Sequence, residues 1–570
     1  MKKLVFHSKF DEMIRSGMRF RDQLKLMSRP ELGFIKAIVI ITLGTSLLNL
    51  GVPVAVQTII NSIGVRTMAQ PLVVLCGILL FILSCSGLLQ TIQTYTVEIL
   101  QRRLFVRYGF VIAEKITKYQ DQKFRSANSP DLINRYFDII IMQSQMVVFF
   151  VNGFGFIIQF IIGFALLAFY HPYFLGFAGF MAQFLIANWL FFGPAGVRAG
   201  SPEADGKYAV VSWIEEMSRV RNVFTSDRGR DFSYTKMNSL FNTWLEVRNN
   251  LFNFQFRQHI GLQVFGVVMN VLLLALGGVL VLQGQLSAGQ LVAAALVVNS
   301  IIASLPNLQN FYFSVYNYST ALDMIARFYD YPLEPVKEKA VMPKHLHFSL
   351  EDVRFEPNYN FNFSFKEGTK ALILVKSFSS MTHVYEALMG NSDHISGSIK
   401  FDGTLLQDLD VSQIRNHIQI VAHDQFFAGT VRENLTGLAG REFTETEIQD
   451  VLYRTGLFEN IDALPEKLET HIRPNGYPFT KSQLLAIQMA RALLVKPKIL
   501  FITPDYEQIS SYKRKLIYKE LLDQENKWTL LFFTQRFYKG NFDRLVMLER
   551  SNLKELVTEA DLLKEIENYA

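Results

Sequence analysis

The sequence predicts a membrane α-helical bundle with six spans, followed by an α/β domain outside the bilayer. Half of the 570 residues are apolar, and Asp, Glu, Lys and Arg are sparse before Tyr316 but frequent after Tyr329. The apolar run Ala371–Val375, a polar break and a helix-like run ending at Gly390 indicate a strand, a loop and a helix in the second half. The chain therefore divides into a lipid-embedded half and a water-exposed half.

Six uncharged runs are long enough to cross about 30 Å of hydrocarbon at 1.5 Å per residue. Apolar residues at helical spacing in Val106–Tyr119 and Lys207–Arg221 predict that some spans continue well beyond the bilayer. The predicted spans are Ala37–Ile63, Pro71–Thr96, Ile139–Tyr170, Tyr173–Phe192, Ile260–Leu282 and Ala288–Tyr316.

The charges between the spans predict the orientation. The short connections carry one positive residue, Arg66, whereas 101–138 and 198–257 are rich in Lys and Arg. Because positive loops stay in the cytoplasm, we expect the N-terminus, both long connections and the C-terminal domain to be cytoplasmic, in a bacterial inner or plasma membrane. Residues 1–32 are interpreted as an amphipathic cytoplasmic segment on the membrane surface, with an ordinary solvated helix as the alternative. No apolar signal-peptide core is seen at the start.

Composition argues against several classes of protein. Both cysteines, Cys76 and Cys85, lie in one apolar run, so neither a disulfide framework nor a thiolate metal cluster is expected. The spans hold almost no acid at mid-membrane depth, and Glu98 lies near a span end, which counts against a proton-coupled carrier. The many Asn and Gln residues in the spans are consistent with contacts between helices or with a polar pathway. No nucleic-acid partner is indicated.

Two later segments carry a family resemblance. Gly397–Leu435 contains GSIKFDG, IRNHIQIV and GTVRENL in order, and Ser482–Ile502 reads SQLLAIQMARALLVKPKILFI. Both resemble the nucleotide-binding domain of ATP-binding-cassette (ABC) transporters. Six spans before such a domain resemble an ABC exporter half-transporter, which implies a RecA-like α/β cassette with a helical subdomain. The predicted domains are 1–32, the membrane domain 33–326, a proline-containing linker 327–345 and a degenerate cassette 346–570.

The resemblance implies a phosphate loop of the pattern G-x-x-x-x-G-K-[ST] after the strand. Here Val375 and Ser380 replace the two glycines, Met381 replaces the lysine, and Thr382 alone is retained. Lys376 is interpreted either as a cation that reaches phosphate from another direction or as a solvated loop lysine.

The remaining family positions are replaced as well. The signature LSGGQ is matched by Phe479 followed by Thr480, Lys481, Ser482 and Gln483, without glycine. Thr503 and Pro504 stand where the acidic pair would be, and neither offers a carboxylate. His423 replaces the metal-sensing glutamine and Gln535 the switch histidine. The adenine-stacking position is Pro357, with Tyr359 as a rival.

These replacements predict an exporter-type transport subunit whose own ATP site is catalytically inactive. The prediction includes no catalytic residue, no metal ligand except Thr382 as a candidate, and no likely cofactor, with Mg-ATP bound only weakly or in a composite site. The expected partners are the lipid bilayer and a second ABC half-transporter, a heterodimer being favoured over a homodimer. The alternative is a non-enzymatic membrane scaffold or regulatory protein, possibly homodimeric. A channel or secondary carrier receives little support from the ion-poor spans.

Overall fold

The computed structural model describes residues 29–49, 55, 58, 69–119, 129–334, 343–355, 359–375, 378–391, 396–423, 425–548 and 553–556. The chain divides into two compact units, Met1–Glu334 and Pro335–Ala570. The prediction for 1–32 falls almost wholly outside the described residues, of which only 29–32 belong to that segment.

The first unit is mainly helical within the residues that the structure describes, with one isolated β-bridge between Tyr119 and Leu333. Short 3₁₀ turns occur at Arg29–Glu31, Arg135–Phe137, Arg221–Phe224 and Arg327–Tyr329. The helices are α1 (Leu32–Asn49), α2 (Ala69–Lys118), α3 (Ser129–Asn134), α4 (Asp138–Val148), α5 (Phe154–Tyr170), α6 (Pro172–Arg219), α7 (Asp227–Leu282), α8 (Ala288–Ala303) and α9 (Leu305–Ala326).

Six helical stretches are long and apolar enough to cross a membrane, which confirms the predicted number of spans. Helices α2, α6 and α7 contain 50, 48 and 56 residues, and at 1.5 Å per residue each is about 70 Å long or longer. They therefore extend far beyond 30 Å of hydrocarbon, as the sequence predicts. Part of the first predicted span, Ala37–Ile63, lies outside the described residues.

Two predicted spans are interrupted. The third contains a π-helical turn, Phe149–Gly153, between α4 and α5. A side chain at Gly153 would collide with the ring of Phe311, so α9 packs directly against this turn. The sixth breaks at Ser304, because Pro306 lacks an N–H and is tolerated only in the first turn of the new helix α9.

The second unit is built on three sheets. The strands are β1 (Phe348–Phe355), β2 (Tyr359–Phe365), β3 (Lys370–Val375), β4 (Ser396–Phe401), β5 (Thr404–Leu405), β6 (Ile418–Val421), β7 (Gly429–Thr430), β8 (His471–Ile472), β9 (Ile499–Ile502), β10 (Thr529–Thr534), β11 (Arg544–Leu548) and β12 (Leu553–Glu555). A six-stranded sheet has the order β12-β11-β3-β10-β9-β6, a four-stranded antiparallel sheet has the order β2-β1-β4-β5, and β7 pairs with β8.

Seven helices accompany these strands within the described residues. The helix that follows β3 starts at Phe378, so it includes most of the stretch 376–382 that the sequence suggested as a polar break; this expectation was wrong. The helices are α10 (Phe378–Leu388), α11 (Val411–Arg415), α12 (Val431–Thr436), α13 (Glu445–Arg454), α14 (Phe458–Asp462), α15 (Lys481–Val495) and α16 (Ser511–Leu522).

Strand β3 is buried over its whole length. Leu372 and Leu374 belong to the hydrophobic core on one face of the large sheet, whereas Ala371, Ile373 and Val375 belong to the core on the other face. This alternation follows from the two-residue period of a strand, and it requires a continuous apolar run such as ALILV.

Candidate nucleotide site

The large sheet brings most of the candidate positions to one edge. Strands β3, β10, β9 and β6 run parallel, so their carboxyl ends lie at the same edge, where parallel sheets bind ligands. Val375 ends β3 and residues 376–382 follow it, while Thr503 follows β9, His423 follows β6, and Gln535 follows β10. The structure thus places the phosphate-loop, acidic-pair, metal-sensing and switch positions together.

The residue at the lysine position of the phosphate loop is buried in the hydrophobic core. Met381 is 6% exposed and belongs to the same core cluster as Val384 and Ala387 on its own helix. Val375, at the first glycine position, is 3% exposed. Lys376 lies outside the described residues, and the side chain of Ser380 is not described. At the two positions that the structure describes, apolar side chains have become part of the core.

Thr382 is exposed and is the fifth residue of α10, next to the buried Met381. A hydroxyl there can bind a magnesium ion, and the amides of a helix start attract phosphate. This side chain fits a bound Mg-nucleotide. Met381, Thr503 and Pro504 do not, because they supply no charge to phosphate, metal or water. Among the described residues, no group of three or more His, Cys, Asp and Glu side chains could hold a metal ion.

The acidic-pair position is buried and neutral. Thr503 is 2% exposed, and its hydroxyl lies 2.9 Å from the carbonyl oxygen of Val421 and 3.2 Å from a carboxylate oxygen of Asp505. Pro504 begins a 3₁₀ turn, Pro504–Gln508, and is buried. The threonine hydroxyl therefore links β9 to β6.

A carboxylate that the sequence analysis missed lies beside these residues. Asp505 Oδ2 accepts a hydrogen bond from the backbone N–H of His423 at 3.2 Å, and Oδ1 accepts one from the Gln508 amide at 3.0 Å. Asp505 also contacts Thr503, so one acid connects two candidate positions. The family motif aligns its acidic pair with Thr503 and Pro504. The acid at the next position, Asp505, was the signal in the sequence that could have identified a carboxylate at this site.

The signature position begins helix α15 with a capping box. Thr480 Oγ1 accepts a hydrogen bond from the Gln483 N–H at 3.3 Å, and Gln483 Oε1 accepts one from the Thr480 N–H at 2.8 Å. Ser482 Oγ accepts the Ser510 N–H at 2.9 Å, whereas Lys481 is exposed. Thr480 and Gln483 cap the helix, and Ser482 binds the loop after β9. In the family, the signature at this helix start contains two glycines.

The same helix contacts the segment around His423. Gln488 is 1% exposed and accepts a hydrogen bond from the Ala422 N–H at 3.1 Å. Arg491 donates to the carbonyl oxygen of Gln425 at 2.7 Å. Helix α15 is therefore joined to the sheet edge by contacts on both sides of His423.

Gln535 is exposed at the switch position after β10. Its neighbours are held by an acid: Glu507 accepts a hydrogen bond from the hydroxyl of Thr534 at 3.2 Å and pairs with Arg536 at 3.0 Å. Glu507 thus joins the loop after β9 to the end of β10.

The aromatic residues near the loop pack on one another. Tyr359, the rival adenine-stacking residue, is 9% exposed, and its ring centroid lies 4.8 Å from that of His383. Phe355 stacks on the same imidazole at 4.9 Å. Pro357 lies outside the described residues. The ring of Tyr359 therefore packs in the core against His383.

The enclosure of His383 predicts a pH-dependent stability. Burial lowers the pKa of this imidazole below 6.5, with Glu386 opposing the shift. Between the folded and unfolded pKa values the unfolded chain binds more protons, so stability is lost as the pH falls below about 6.5. We expect the full chain to unfold at a lower temperature at pH 5.5 than at pH 7.5, and His383→Gln to reduce the difference.

Thermal unfolding of both proteins at the two pH values measures this effect. His417, whose pKa is also lowered by burial, adds a dependence of its own that His383→Gln leaves in place. The exposed His471 provides the control, His471→Gln, which should keep the full difference. An undiminished difference in His383→Gln would contradict the prediction.

Comparison with known proteins agrees with this geometry. The family model described as ABC transporter matches residues 359–502. The transport/processing ATP-binding protein ComA of Streptococcus pneumoniae is 23% identical over 372 residues, covering 63% of this chain and 51% of that protein. The probable multidrug resistance ABC transporter ATP-binding/permease protein YheI of Bacillus subtilis is 23% identical over 302 residues, covering 51% of each.

A solved structure of a bacterial Atm1-family ABC exporter with ATP bound is similar over nearly the whole chain. Its TM-score is 0.78 at 15% identity, covering 94% of this chain and 96% of that one. The chain spans about half the length of the two curated relatives described above.

The chain has the fold of an ABC exporter half-transporter, with a six-helix membrane region followed by an ABC cassette. It is a multi-pass integral membrane protein. Both the predicted fold class and the family resemblance are confirmed.

One prediction is overturned by these comparisons. The sequence analysis predicted no likely cofactor and only weak or composite binding of Mg-ATP. The matching family consists of ABC transporters, ComA and YheI are named as ATP-binding proteins, and the similar exporter structure contains ATP. Loss of the loop lysine was therefore not a sound reason to exclude the nucleotide, because backbone amides contribute to phosphate binding without any particular side chain.

Proposed function

We propose that this chain is the transport subunit of an ABC exporter, paired in the membrane with a second half-transporter that hydrolyses ATP. Mg-ATP is the ligand of the paired cassettes, and this chain's own site is catalytically inactive. Support for nucleotide use comes from the ATP-binding relatives and from the ATP-bound exporter of the same fold.

The main observation in support of an inactive site is the interior position of Met381. Methionine provides no positive charge for phosphate, and this side chain is 6% exposed in the same core cluster as Val384 and Ala387. At the acidic pair, Thr503 bonds to Val421 and Pro504 is buried. A general base typically contributes a factor of about 10² to 10⁴ in rate, and neither residue can act as one.

The partner follows from how ABC cassettes combine. The resemblance implies that they pair head to tail, each site taking a phosphate loop from one chain and a signature from the other. A homodimer would combine two loops that lack lysine, so a heterodimer with a competent partner is favoured. The positions of the degenerate ATP site, which align with the family's nucleotide-contacting residues, are Val375, Lys376, Ser380, Met381, Thr382, His423, Thr480, Lys481, Ser482, Gln483, Thr503, Pro504 and Gln535.

We also propose an orientation of the chain in the membrane. The N-terminal segment 1–32 and the cassette 346–570 are cytoplasmic, and the linker 327–345 joins the cassette to the membrane domain 33–326. The Lys- and Arg-rich connections support this orientation. A bacterial inner or plasma membrane is the proposed location.

A non-enzymatic scaffold or regulatory protein is the second candidate. The observation that favours it is a well-packed cassette whose replaced residues have structural roles. Met381 lies in the core, Thr480 and Gln483 cap a helix, and Thr503 links two strands. Such a fold can serve as a docking surface without any catalysis.

Purification of the tagged full chain from its native membranes tests the proposal. We expect a second ABC half-transporter in equal amount, with ATPase activity at least 100-fold lower when the partner's loop lysine is replaced by alanine. The partner half-transporter reconstituted without this chain should lose the ATPase activity as well.

Two results would decide against it. If the chain purified alone hydrolyses ATP, its site is active. If no ABC partner accompanies the chain and no ATPase activity depends on it, the scaffold hypothesis is favoured instead.

A further inference from the structure

The turn after β9 carries an accessible carboxylate at the edge of the sheet where the candidate positions meet. Asp505 is the second residue of the 3₁₀ turn Pro504–Gln508. Its side chain is partly exposed, whereas Thr503 and Pro504 before it are buried. The acid that a ligand can reach at this edge therefore lies two positions after Thr503, where the family has its metal-binding acid.

Neutral groups hold this carboxylate in place. Oδ2 accepts a hydrogen bond from the His423 N–H and lies 3.2 Å from the Thr503 hydroxyl, while Oδ1 accepts one from the Gln508 amide at 3.0 Å. The two oxygens of a carboxylate offer about four acceptor positions. These contacts fix the direction of the Asp505 side chain, supply no positive charge, and leave acceptor capacity on Oδ1.

The cations near this turn bind a different acid. Arg536 pairs with the Glu507 carboxylate at 3.0 Å, and Arg514 donates to the Glu507 carbonyl oxygen at 3.1 Å. Within the ranges that the structure describes, Asp505 forms no ion pair with a Lys, Arg or His side chain. A carboxylate without a cationic partner repels phosphate unless a cation lies between them.

A magnesium ion is the cation that these groups fit. Mg²⁺ prefers oxygen ligands, and one or two carboxylates together with the phosphates of a substrate commonly bind it, so a cluster of three acids is not required. Thr382 offers an exposed hydroxyl after β3, and β10 lies between β3 and β9 in the sheet. The strands that lead to Thr382 and Asp505 are therefore about 10 Å apart. Because Met381 supplies no charge, the ion provides the positive charge that the phosphates require.

We propose that Asp505 is the carboxylate that binds the magnesium ion of a nucleotide in this chain's own site, together with the Thr382 hydroxyl. This assignment rests on the proposed function, in which Mg-ATP is the ligand of the paired cassettes. It gives the chain a binding role toward Mg-ATP without a catalytic one, because Pro504 still offers no base to a water molecule.

Calorimetric titration of the full chain in lipid nanodiscs tests this role, with ATP as the probe in the presence of either Mg²⁺ or EDTA. We expect the wild type to bind ATP at least tenfold more tightly with Mg²⁺ than with EDTA. Asp505→Asn keeps the size of the side chain and an acceptor for the His423 N–H, but it removes the charge. This variant should lose the preference for Mg²⁺ without binding ATP more weakly in EDTA.

The matched control is Glu525→Gln, which removes an exposed carboxylate just before β10, at the opposite edge of the sheet. It should keep the wild-type preference for Mg²⁺. Thermal unfolding of each variant verifies that it is folded, so that a change in affinity is not a loss of structure.

Three results would overturn the assignment. The first is a wild type without a preference for Mg²⁺, including one that binds neither form of ATP. The second is Asp505→Asn with wild-type or higher affinity for Mg-ATP, which would mean that the carboxylate only repels phosphate. The third is equal weakening with Mg²⁺ and with EDTA, as a purely structural role predicts. The proposed function fails on different results, which are ATP hydrolysis by the chain alone or the absence of an ABC partner.

Discussion

Substitution of Met381 by lysine is expected to destabilise the cassette by roughly 4–7 kcal/mol, although it restores the residue type found in the family's phosphate loop. The side chain is 6% exposed in the core with Val384 and Ala387. A fully buried lysine has its pKa lowered by about 3–5 units, and each unit corresponds to 1.36 kcal/mol. Thermal or denaturant unfolding of the full chain measures the loss.

Thr382→Lys is the matched control, because the neighbouring side chain is exposed. That variant should remain within about 0.5 kcal/mol of the wild type. A Met381→Lys protein with wild-type stability and increased ATP affinity would contradict the prediction, since it would mean that the loop can present a lysine to phosphate without disturbing the core.

Substitution of Gly196 by alanine should destabilise the membrane unit by about 1–3 kcal/mol through overpacking. The new Cβ would lie 2.7 Å from the Tyr316 ring, closer than real contacts allow. Tyr316 has little room to move: it is 1% exposed, stacks on Trp189 at 5.8 Å and donates to Gln258 at 2.8 Å. A lower unfolding temperature of the full chain in detergent is the expected result.

Gly179→Ala provides the comparison, since it makes the same change on the same helix α6. No atom lies within 4 Å of its added Cβ, so the variant should gain the helix preference of alanine, about 0.5–1 kcal/mol. If both variants unfold at the same temperature, close packing at Gly196 does not limit stability.

The spans and the cassette were predictable because their signals are local. Uncharged runs of sufficient length predicted six spans, and the run ALILV predicted a strand, which the structure shows as β3. GTVRENL contains the Thr430 and Glu433 pair, which forms a capping box at the start of α12. Each of these features depends on residues close together in sequence.

The chemical roles at the sheet edge were less predictable. Aligned positions identified Thr503 and Pro504 as replacements, but the contact of Asp505 with the His423 N–H depends on a 3₁₀ turn. The burial of Met381 likewise depends on a helix that starts at Phe378, earlier than the polar residues suggested. Side-chain direction is set by the backbone, and residue type alone does not determine it.

The sequence by itself determined the six-span bundle, the ABC-type cassette and the replacement of each family side chain, because these are properties of hydrophobic runs and motif spacing. Only the tertiary structure decided what the replacements do: Met381 fills the core and Thr503 bonds across two strands. It also joined the Asp505 carboxylate to the His423 N–H, 82 positions apart in the chain. Packing between separate elements created these contacts, and no local pattern encodes them.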